Sequence, residues 1–393
     1  MAIIIGRNLL LLSFSWCFLT CPSYSDTDTI LQGQEIRDWQ HLVSANGVFR
    51  LQFFSHGTYY KRYLGISYNI GGSAKVGETE VWIANRNSPI IGTSGSLMID
   101  SDGNMKISSS GSSPIIINSV QASGNTSATL LDNGNFILRE LNSNGSTGQI
   151  LWQSFDYPTD TLLPGMKLGI NFKTGHTWSL TSWRRHNSPA SGSFTLGLDP
   201  NSTSQLVILW QGDIYWTSGP WHDGHFEYVS MFSYKSKPKF RYFSDENEKY
   251  FIYSVDKSIT HSRYKISPEG IIEEVGNRTA PFGACSAGLE AGDDQKAGCT
   301  KKKLQPECRD PNIQFVFDTG YMSTDAFKFP ENDNLSYFDC RDKCISNCSC
   351  VAYSWANDDG TGCEIWSQGS VFTGDALRGV YIAHLVPHKG KLS

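Results

Sequence analysis

The placement of cysteine constrains the fold of this 393-residue chain more than any other feature of its sequence. Two of the ten cysteines, Cys17 and Cys21, lie in an apolar N-terminal segment, and the other eight lie between Cys285 and Cys363. An even number of cysteines at one end of a secreted chain is typical of a module held by disulfides. We therefore predict a disulfide-rich C-terminal module, preceded by domains without cysteine.

The N-terminal segment predicts secretion. Arg7 precedes the apolar run "NLLLLSFSWCFLT", and the small residues of "SYS" precede Asp26. This order is typical of a signal peptide, which we expect to be cleaved after Ser25; a signal anchor that stays in the membrane is the alternative. No other stretch approaches the roughly 18 apolar residues of a membrane-spanning helix. We expect residues 1–25 to be removed and the product to be secreted and extracellular.

The cysteine-free part predicts two β domains. Short runs such as "GVFRLQFF", "VWIAN" and "NFILR" are separated by Gly, Asn, Asp and Ser, a pattern typical of strands and tight turns. "SDGNMKI" and "DNGNFIL" share a turn followed by alternating residues, and "VWIANR" and "ILWQSF" each carry a Trp, which favours a small symmetric β architecture. Similar runs continue to about Glu274. We bound the two domains at residues 26–155 and 156–279.

The rest of the chain predicts a linker and a mixed module. Residues 280–306 are rich in Gly, Ala, Asp and Lys, residues 307–387 hold most of the cysteines, and residues 388–393 form a tail. Cys340, Cys344 and Cys348 are four residues apart and would share one face if this segment is helical; Ser336, with Asp339 three residues later, is the expected helix start. "CSCVAYSW" and "GCEIWSQ" are expected strands. The predicted module is one helix on a small sheet.

The charge of the chain argues against one class of function, and its sequons predict N-glycosylation. The chain has 33 basic and 38 acidic residues, a net charge of −5 and no basic block, which argues against nucleic-acid binding. N-x-S/T sequons predict N-glycosylated surface loops. They occur at Asn125, Asn144, Asn201, Asn277, Asn334 and Asn347.

Several long segments resemble a known plant family. The segments 81–90 ("VWIANRNSPI"), 130–138 ("LLDNGNFIL") and 152–169 ("WQSFDYPTDTLLPGMKLG") are similar to signatures of bulb-type lectin domains in S-locus glycoproteins and G-type lectin S-receptor-like kinases. "YWTSGPWHDGHF" and "RYKISPEGIIEE" resemble the S-locus glycoprotein region, and residues 340–366 resemble a PAN/apple module. The resemblance implies two tandem bulb-lectin-like β-prism domains followed by a disulfide-rich PAN/apple module, mainly β overall.

The resemblance also implies candidate sugar sites. Bulb-type lectins hold mannose with a Q-x-D-x-N-x-V-x-Y strand, whose polar side chains meet the sugar hydroxyls. One strand here keeps the Asp and Asn but lacks the Gln, Val and Tyr, and a second keeps only the Asn and an aliphatic residue. The alternative is that both are hairpin turns of a retained scaffold. The candidate carbohydrate-binding residues are Asp100, Asp102, Asn104, Asn133 and Asn135.

For the cysteines, the resemblance implies the pairs Cys340–Cys363 and Cys344–Cys350. The partners of four others stay open: Cys285, Cys299, Cys308 and Cys348. The segment "FGACSAGLEAGDDQKAGC" stands where many relatives carry an EGF-like module, so residues 280–306 are interpreted as a reduced remnant of it.

Catalytic and metal chemistry are not expected. Asp156 and Asp160 could act as an acid–base pair, but aspartates beside turns more often accept hydrogen bonds from the backbone. His222 and His225 are three apart, without a third ligand at a usual spacing. The H-R-D and D-F-G triplets of kinases do not occur in the sequence. We predict no enzyme activity, no metal and no cofactor.

Three functional hypotheses follow. The first is a secreted recognition glycoprotein of the apoplast or cell wall, which binds a protein or peptide ligand or a receptor kinase ectodomain in cell-surface signalling. The second is a mannose-binding lectin, with weak binding to mannose-type glycans. The third is a truncated fragment of a membrane G-type lectin receptor serine/threonine kinase, which would belong at the plasma membrane.

Overall fold

The computed structural model describes residues 27–56, 60–70, 79–119, 125–201, 204–229, 238–256, 259–275, 285, 298–300, 308–309, 313–330, 333, 335–357 and 361–385. The predicted signal peptide and tail lie outside these residues, as does most of the predicted linker at residues 280–306. No helix in the described ranges is long and apolar enough to cross a membrane.

The first domain consists of three antiparallel sheets, and we call it the first β-prism. Its strands are β1 (Thr29–Leu31), β2 (Glu35–Arg37), β3 (His41–Val43), β4 (Phe49–Ser55), β5 (Lys61–Tyr68), β6 (Glu80–Ile83), β7 (Ile90–Ile91), β8 (Ser96–Ile99), β9 (Met105–Ser108), β10 (Ile115–Ile116), β11 (Thr126–Leu130), β12 (Phe136–Leu141) and β13 (Thr147–Gln153). Their orders are β1-β11-β12-β13, β10-β9-β8-β2 and β3-β4-β5-β6, with β7 beside β5.

Alternation of apolar and polar residues sets which face of each sheet is buried. In β9, Met105 and Ile107 are buried while Lys106 and Ser108 are partly exposed. Successive side chains of a strand point to opposite faces, so this alternation fixes the register against the core. Leu51, Leu97 and Leu130, one from each sheet, are fully buried in the common core.

The second domain repeats the three-sheet arrangement, and we call it the second β-prism. It follows a short 3₁₀ turn, Ser154–Asp156, in which the proposed domain boundary falls. Its strands are β14 (Thr161–Leu162), β15 (Lys167–Asn171), β16 (Thr177–Trp178), β17 (Leu180–Arg185), β18 (Ser188–Leu198), β19 (Leu206–Trp210), β20 (Asp213–Thr217), β21 (Trp221–His222), β22 (His225–Phe226), β23 (Lys239–Ser244), β24 (Glu248–Ser254), β25 (Arg263–Ile266) and β26 (Ile272–Val275).

Three sheets again surround an apolar core. Their orders are β14-β25-β26, β16-β15-β24-β23 and β17-β18-β19-β20, and β21 pairs with β22. Most of the buried apolar side chains of the two β-prisms form one continuous cluster, which includes Phe155 and Leu163 of the connecting segment. A smaller cluster also contains residues of both domains: Phe54, Tyr63, Ile83 and Trp183. The segment that the sequence marks as rich in Trp, Phe and Pro therefore joins two cores.

The C-terminal module has one helix on a five-stranded sheet. Its elements are β27 (Ile313–Met322), β28 (Phe327–Lys328), α1 (Tyr337–Ser346), β29 (Cys350–Ser354), β30 (Glu364–Ser367) and β31 (Phe372–Leu385), and the sheet order is β27-β31-β29-β30-β28. Ser336 and Asp339 form a complete capping box at the start of α1. The predicted fold class, mainly β with two β-prisms and a small helix-on-sheet module, is confirmed.

Disulfides connect α1 to the sheet. Cys340 pairs with Cys363 and Cys344 with Cys350, the connectivity that the resemblance implies. The four cysteines left open by the sequence pair as Cys285–Cys299 and Cys308–Cys348. Removing a native disulfide from a small module costs about 2–5 kcal/mol, so these bonds supply much of what a core of this size lacks.

Candidate functional site

The first candidate sugar site is the turn that joins β8 to β9. The amide of Asp100 donates to the carbonyl of Asn104 over 3.0 Å, and Gly103 has a φ of 81°, a conformation that glycine adopts without strain. The carboxylate of Asp100 accepts the amides of Asp102 and Asn104, each at 3.0 Å. Its second oxygen lies 3.4 Å from Lys106 Nζ. Asp100 therefore orders the turn itself.

The turn leaves its other polar side chains more accessible. The Asp102 side chain is exposed, and Asn104 is half-buried, where its amide oxygen faces Asn118 Nδ2 at 3.4 Å. Burial acts to raise the pKa of Asp100, but the two amide donors and Lys106 outweigh it and lower that pKa. A carboxylate at Asp102 beside a carboxamide at Asn104 offers both acceptors and donors to a ligand hydroxyl pair.

The second candidate turn, between β11 and β12, has the same backbone but a different environment. The amide of Leu131 donates to Asn135 O over 2.9 Å, and Gly134 has a φ of 87°. Asn133 is exposed and accepts the Asn135 amide, as Asp100 does for Asn104 in the first turn. Asn135, however, is buried.

The carboxamide of Asn135 bonds to the chain's own atoms. It donates to Gln153 Oε1 over 2.9 Å, and its oxygen accepts Ser154 Oγ and the Phe155 amide, each at 3.2 Å. These bonds connect the turn to the 3₁₀ segment that leads into the second β-prism. Asn135 therefore stabilises the chain between the domains, and the accessible candidates in the two turns are Asp102, Asn104 and Asn133.

The two aspartates of the connecting segment also have structural partners. Asp156 accepts hydrogen bonds from Trp178 Nε1 and Gln153 Nε2, both at 3.0 Å. Asp160 is almost fully buried and lies 3.3 Å from Lys265 Nζ. Both carboxylates therefore face side-chain donors or cations of the protein, and not the backbone amides that the sequence led us to expect.

Arg86 connects the two β-prisms, and sequence reasoning did not single it out. Its guanidinium is buried, and it donates to the carbonyls of Pro189, Thr181 and Ser182 over 2.8, 2.9 and 2.8 Å. Asn85 holds the turn that presents it, because the Asn85 carboxamide accepts the Leu64 amide at 2.8 Å and donates to Ser88 O at 3.0 Å.

The rest of the "VWIANRN" segment contacts the second β-prism as well. Trp82 Nε1 donates to Tyr157 O over 2.8 Å. Asn87 exchanges two hydrogen bonds with Ser191, through the Ser191 amide at 2.8 Å and its hydroxyl at 3.0 Å. A signature strand followed by three polar residues thus makes one of the contacts between the domains. A buried-type Trp three residues before Asn-Arg-Asn is the sequence signal that could have indicated it.

Asp339 connects the second β-prism to the C-terminal module. One carboxylate oxygen accepts Trp210 Nε1 at 2.9 Å and Gln211 Nε2 at 2.7 Å, and the other accepts the Ser336 amide at 2.7 Å and the hydroxyl of Ser193. The carboxylate that completes the capping box of α1 therefore also binds the second β-prism. Beside it, Phe338 packs edge-on against Phe194, with ring centroids 4.9 Å apart.

The histidine pair and the four sequon asparagines that the structure describes lie at the surface. His222 and His225 are exposed, with ring centroids 4.7 Å apart, and no group of three or more potential metal ligands occurs among the residues whose placement is described. Asn277 and Asn334 lie outside the described residues. The remaining sequon asparagines are exposed: Asn125, Asn144, Asn201 and Asn347.

Two family models match the chain. Residues 79–184 match the model described as D-mannose binding lectin, and residues 319–371 match a PAN-like domain. The first match extends across the proposed boundary at residue 155 into β17. The second lies within the C-terminal module, and together the matches give the order lectin then PAN.

Individual relatives cover most of the chain. The G-type lectin S-receptor-like serine/threonine-protein kinase CES101 of Arabidopsis thaliana is 39% identical, over 90% of this chain and 45% of its own length. The S-locus-specific glycoprotein S6 of Brassica oleracea is 29% identical, over 95% of this chain and 93% of its own length. The chain spans about half the length of the receptor kinases that it matches.

Solved lectins show partial similarity. A monomeric mannose-binding lectin from Gastrodia elata is 20% identical over 32% of this chain and 94% of its own, with a TM-score of 0.24. The two-domain Scilla campanulata agglutinin covers 65% of this chain and 90% of its own at 13% identity, with a TM-score of 0.22. The chain thus has a D-mannose binding lectin match followed by a PAN-like match, and it is similar along most of its length to an S-locus glycoprotein and to about half of each G-type lectin S-receptor-like kinase that it matches.

Proposed function

We propose that the protein is a secreted, non-catalytic recognition glycoprotein, which binds a ligand or the ectodomain of a receptor kinase in signalling at the cell surface. The observation that carries this proposal is the pair of buried polar contacts at Arg86 and Asp339, which fix three modules against one another. A fixed arrangement of modules presents one composite surface to a partner and avoids the cost of ordering it during binding.

The test is binding of the purified glycosylated protein to a panel of G-type lectin receptor kinase ectodomains and to a second copy of itself, by biolayer interferometry. We expect micromolar or tighter binding to at least one ectodomain, and no competition by free mannose. Asp339→Ala should weaken this binding, because it loosens the C-terminal module. Asp325→Ala, an exposed carboxylate of the same module, is the matched control. No binding to any panel member would contradict the proposal.

A mannose-binding function is the second candidate, and the exposed Asp102 beside Asn104 is the observation that favours it. If this turn binds sugar, Asp102→Ala should abolish binding to mannose-rich glycans on an array, while Asn133→Ala at the equivalent position of the second turn should not. Binding that both variants retain would exclude these two turns as the sugar site.

A further inference from the structure

The half-cystines of this protein differ in their exposure to solvent. In the C-terminal module four of them are buried, each with 3% or less of its surface exposed: Cys340, Cys344, Cys350 and Cys363. The pair Cys285–Cys299 is half-buried and packs against the apolar core of the β-prisms. Cys308 is the only exposed half-cystine among the eight that the structure describes, and its partner Cys348 is half-buried. A reagent in solution therefore reaches the Cys308–Cys348 bond first.

Exposure decides which disulfide can exchange with a thiol. A thiolate attacks one sulfur of a disulfide, forms a mixed disulfide with it and releases the other sulfur as a thiolate. Exposed disulfides exchange readily, whereas buried cysteine sulfurs are inert because the attacking thiolate cannot reach them. Since Cys308 is more exposed than Cys348, attack on Cys308 Sγ, with Cys348 as the leaving thiolate, is the expected direction.

The Cys308–Cys348 bond attaches the segment before β27 to the turn after α1. The helix ends at Ser346 and β29 begins at Cys350, so Cys348 lies in the short connection between them. The two half-cystines are 40 residues apart in the chain, the largest separation among the four disulfides. Opening this bond would release both segments unless other contacts hold them together.

Arg309, the residue after Cys308, provides such contacts. Its side chain is buried, and its Nε donates to Ile345 O over 3.0 Å. Its Nη2 lies 2.9 Å from Cys344 O and 3.0 Å from Cys350 O. The carbonyls of the last helical turn have no partners within the helix, and a positive charge is favourable beside them. Arg309 therefore holds its own segment against the end of α1 and the start of β29 without help from the disulfide.

The rest of the module is also cross-linked independently of the exposed bond. The buried pairs Cys340–Cys363 and Cys344–Cys350 connect α1 to β29 and to the start of β30. On the other side of Arg309, its guanidinium lies over the ring of Phe315 in β27, 5.4 Å from the ring centroid. The exposed disulfide can therefore open while the helix stays attached to the sheet.

We propose that Cys308–Cys348 is a site of reversible thiol exchange in the folded protein, at which a small external thiol of the glutathione type forms a mixed disulfide with Cys308. The inference goes beyond the proposed recognition function and does not depend on it. Arg309 acts as a positioning residue, because it keeps the two segments together while the bond is open.

The exchange balances as two ordinary thiol–disulfide steps. The thiolate of the small thiol bonds to Cys308 Sγ as the Cys308–Cys348 bond breaks, and the electron pair of that bond leaves with Cys348 Sγ. Cys348 can then attack Cys308 Sγ, which expels the small thiol and restores the native bond. Alternatively, a second small thiol attacks the mixed disulfide, which leaves two cysteine thiols and one molecule of the oxidised small thiol.

The test treats the intact glycosylated protein with reduced glutathione and alkylates free thiols at successive times. Peptide mass spectrometry then identifies the alkylated cysteines. We expect Cys308 and Cys348 to become alkylated about tenfold faster than the other six half-cystines. The circular dichroism spectrum should stay that of the native protein while only these two are alkylated.

Two single variants test the direction of attack. Cys348→Ser removes the thiol that would expel the reagent, so a glutathione adduct on Cys308 should accumulate. Cys308→Ser leaves only the half-buried Cys348. With oxidised glutathione as the probe, Cys308 in the first variant should form its adduct about tenfold faster than Cys348 in the second.

Arg309→Met tests the positioning role. Without the carbonyl contacts the two segments can separate once the bond is open, so the two thiols meet less often. The ratio of reduced to oxidised glutathione that opens half of the bonds should therefore fall about tenfold. Lys328→Met, which changes an exposed cation of β28 in the same module, should leave this ratio unchanged.

Three outcomes would overturn the inference. Alkylation of Cys285 and Cys299 at the same rate as Cys308 would show that exposure does not select the bond. Simultaneous alkylation of all six cysteines of the C-terminal module would show that the bond opens only when the module unfolds. The native half-opening ratio in Arg309→Met would remove the positioning role. All three are measured without a binding partner, so they leave the proposed recognition function to its own test.

Discussion

Arg86 shows how much of a contact between two domains one side chain can make. A guanidinium has five N–H donors in a fixed plane, and here it meets three backbone carbonyls of the second β-prism that have little access to water. Lysine could not replace it, because an ammonium cannot span carbonyls at Pro189, Thr181 and Ser182 in the same plane.

We expect Arg86→Met to lower the free energy of unfolding by about 3 kcal/mol, because it leaves buried carbonyl oxygens without donors. The measurement is urea unfolding followed by tryptophan fluorescence. Arg37→Met is the control: Arg37 pairs with Glu35 on the surface, where 55% of its side chain is exposed, and its loss should cost less than about 1 kcal/mol. Equal effects of the two changes would contradict this role for Arg86.

His186 forms a surface ion pair with Glu269 whose strength depends on pH. Its Nε2 lies 2.9 Å from Glu269 Oε1, and the hydrogen bond to Glu269 raises the pKa of His186 above its usual 6.5. Burial acts to raise the pKa of Glu269, but the contacts with His186 outweigh it and lower that pKa. The stabilisation needs His186 protonated and Glu269 ionised, so it is fully present between about pH 4.5 and pH 6.5, the ordinary pKa values of the two groups. It is lost as pH rises through the raised folded-state pKa of His186 and as pH falls through the lowered folded-state pKa of Glu269.

An NMR titration of the His186 ring should therefore give a pKa above 6.5, and Glu269→Gln should lower it toward that value. Glu273, which contributes a smaller charge effect, provides the comparison: Glu273→Gln should shift the His186 pKa less. An unchanged titration in Glu269→Gln would show that the ion pair does not form in solution.

At the scale of elements, the N-terminus of α1 has both a capping box formed by nearby residues and hydrogen bonds to a distant strand. The capping box is local, since Ser336 Oγ accepts the Asp339 amide at 3.2 Å and Asp339 accepts the Ser336 amide at 2.7 Å. The Asp339 bonds to Trp210 and Gln211 link the same helix end to β19 and the turn after it. The start of the helix and its attachment to the second β-prism thus depend on one carboxylate.

Ser336→Ala should cost about 1 kcal/mol, the usual value of a lost N-cap, whereas Asp339→Ala should cost about 2 kcal/mol or more because it also leaves buried donors unpaired. Thermal unfolding monitored by circular dichroism measures both. Asp325→Ala in the same module should stay within about 0.5 kcal/mol of the native protein. If Asp339→Ala lowers the free energy of unfolding no more than Ser336→Ala does, the contact of Asp339 with β19 contributes nothing to stability.

At the scale of the whole molecule, apolar packing stabilises the two β-prisms, whereas disulfides contribute to the stability of the C-terminal module. The β-prisms share one apolar cluster and, apart from Cys285–Cys299 beside β20, have no disulfide among their described residues. The C-terminal module has smaller clusters that include four half-cystines, Cys340, Cys344, Cys350 and Cys363. Reduction should therefore affect the parts of the protein unequally.

We expect reductant to lower the unfolding temperature of the C-terminal module by more than 10 °C, since the loss of about 2–5 kcal/mol per disulfide is large for so small a unit. The transition of the β-prisms should shift by only a few degrees. Differential scanning calorimetry resolves the two, with alkylating agent alone as the control. Equal shifts of both transitions would show that the three modules unfold as one unit.

The sequence by itself determined the strands, the turns and the class of fold. Alternation in "NMKIS" and "NFILR", the Gly-Asn turns and the clustered cysteines are local signals, and each concerns residues close together in the chain. The start of α1 at Ser336 was predictable for the same reason, because a capping box spans only four residues.

Only the tertiary structure decided which polar residues are available for binding. Asn104 and Asn135 follow the same kind of turn, yet only Asn135 is buried. The reason is that the 3₁₀ segment at residues 154–156 packs against the turn of Asn135 and not against the turn of Asn104. Arg86 and Asp339 find their partners about a hundred or more residues away in the chain. Burial and long-range partners depend on how the sheets pack together, and no local pattern specifies that packing.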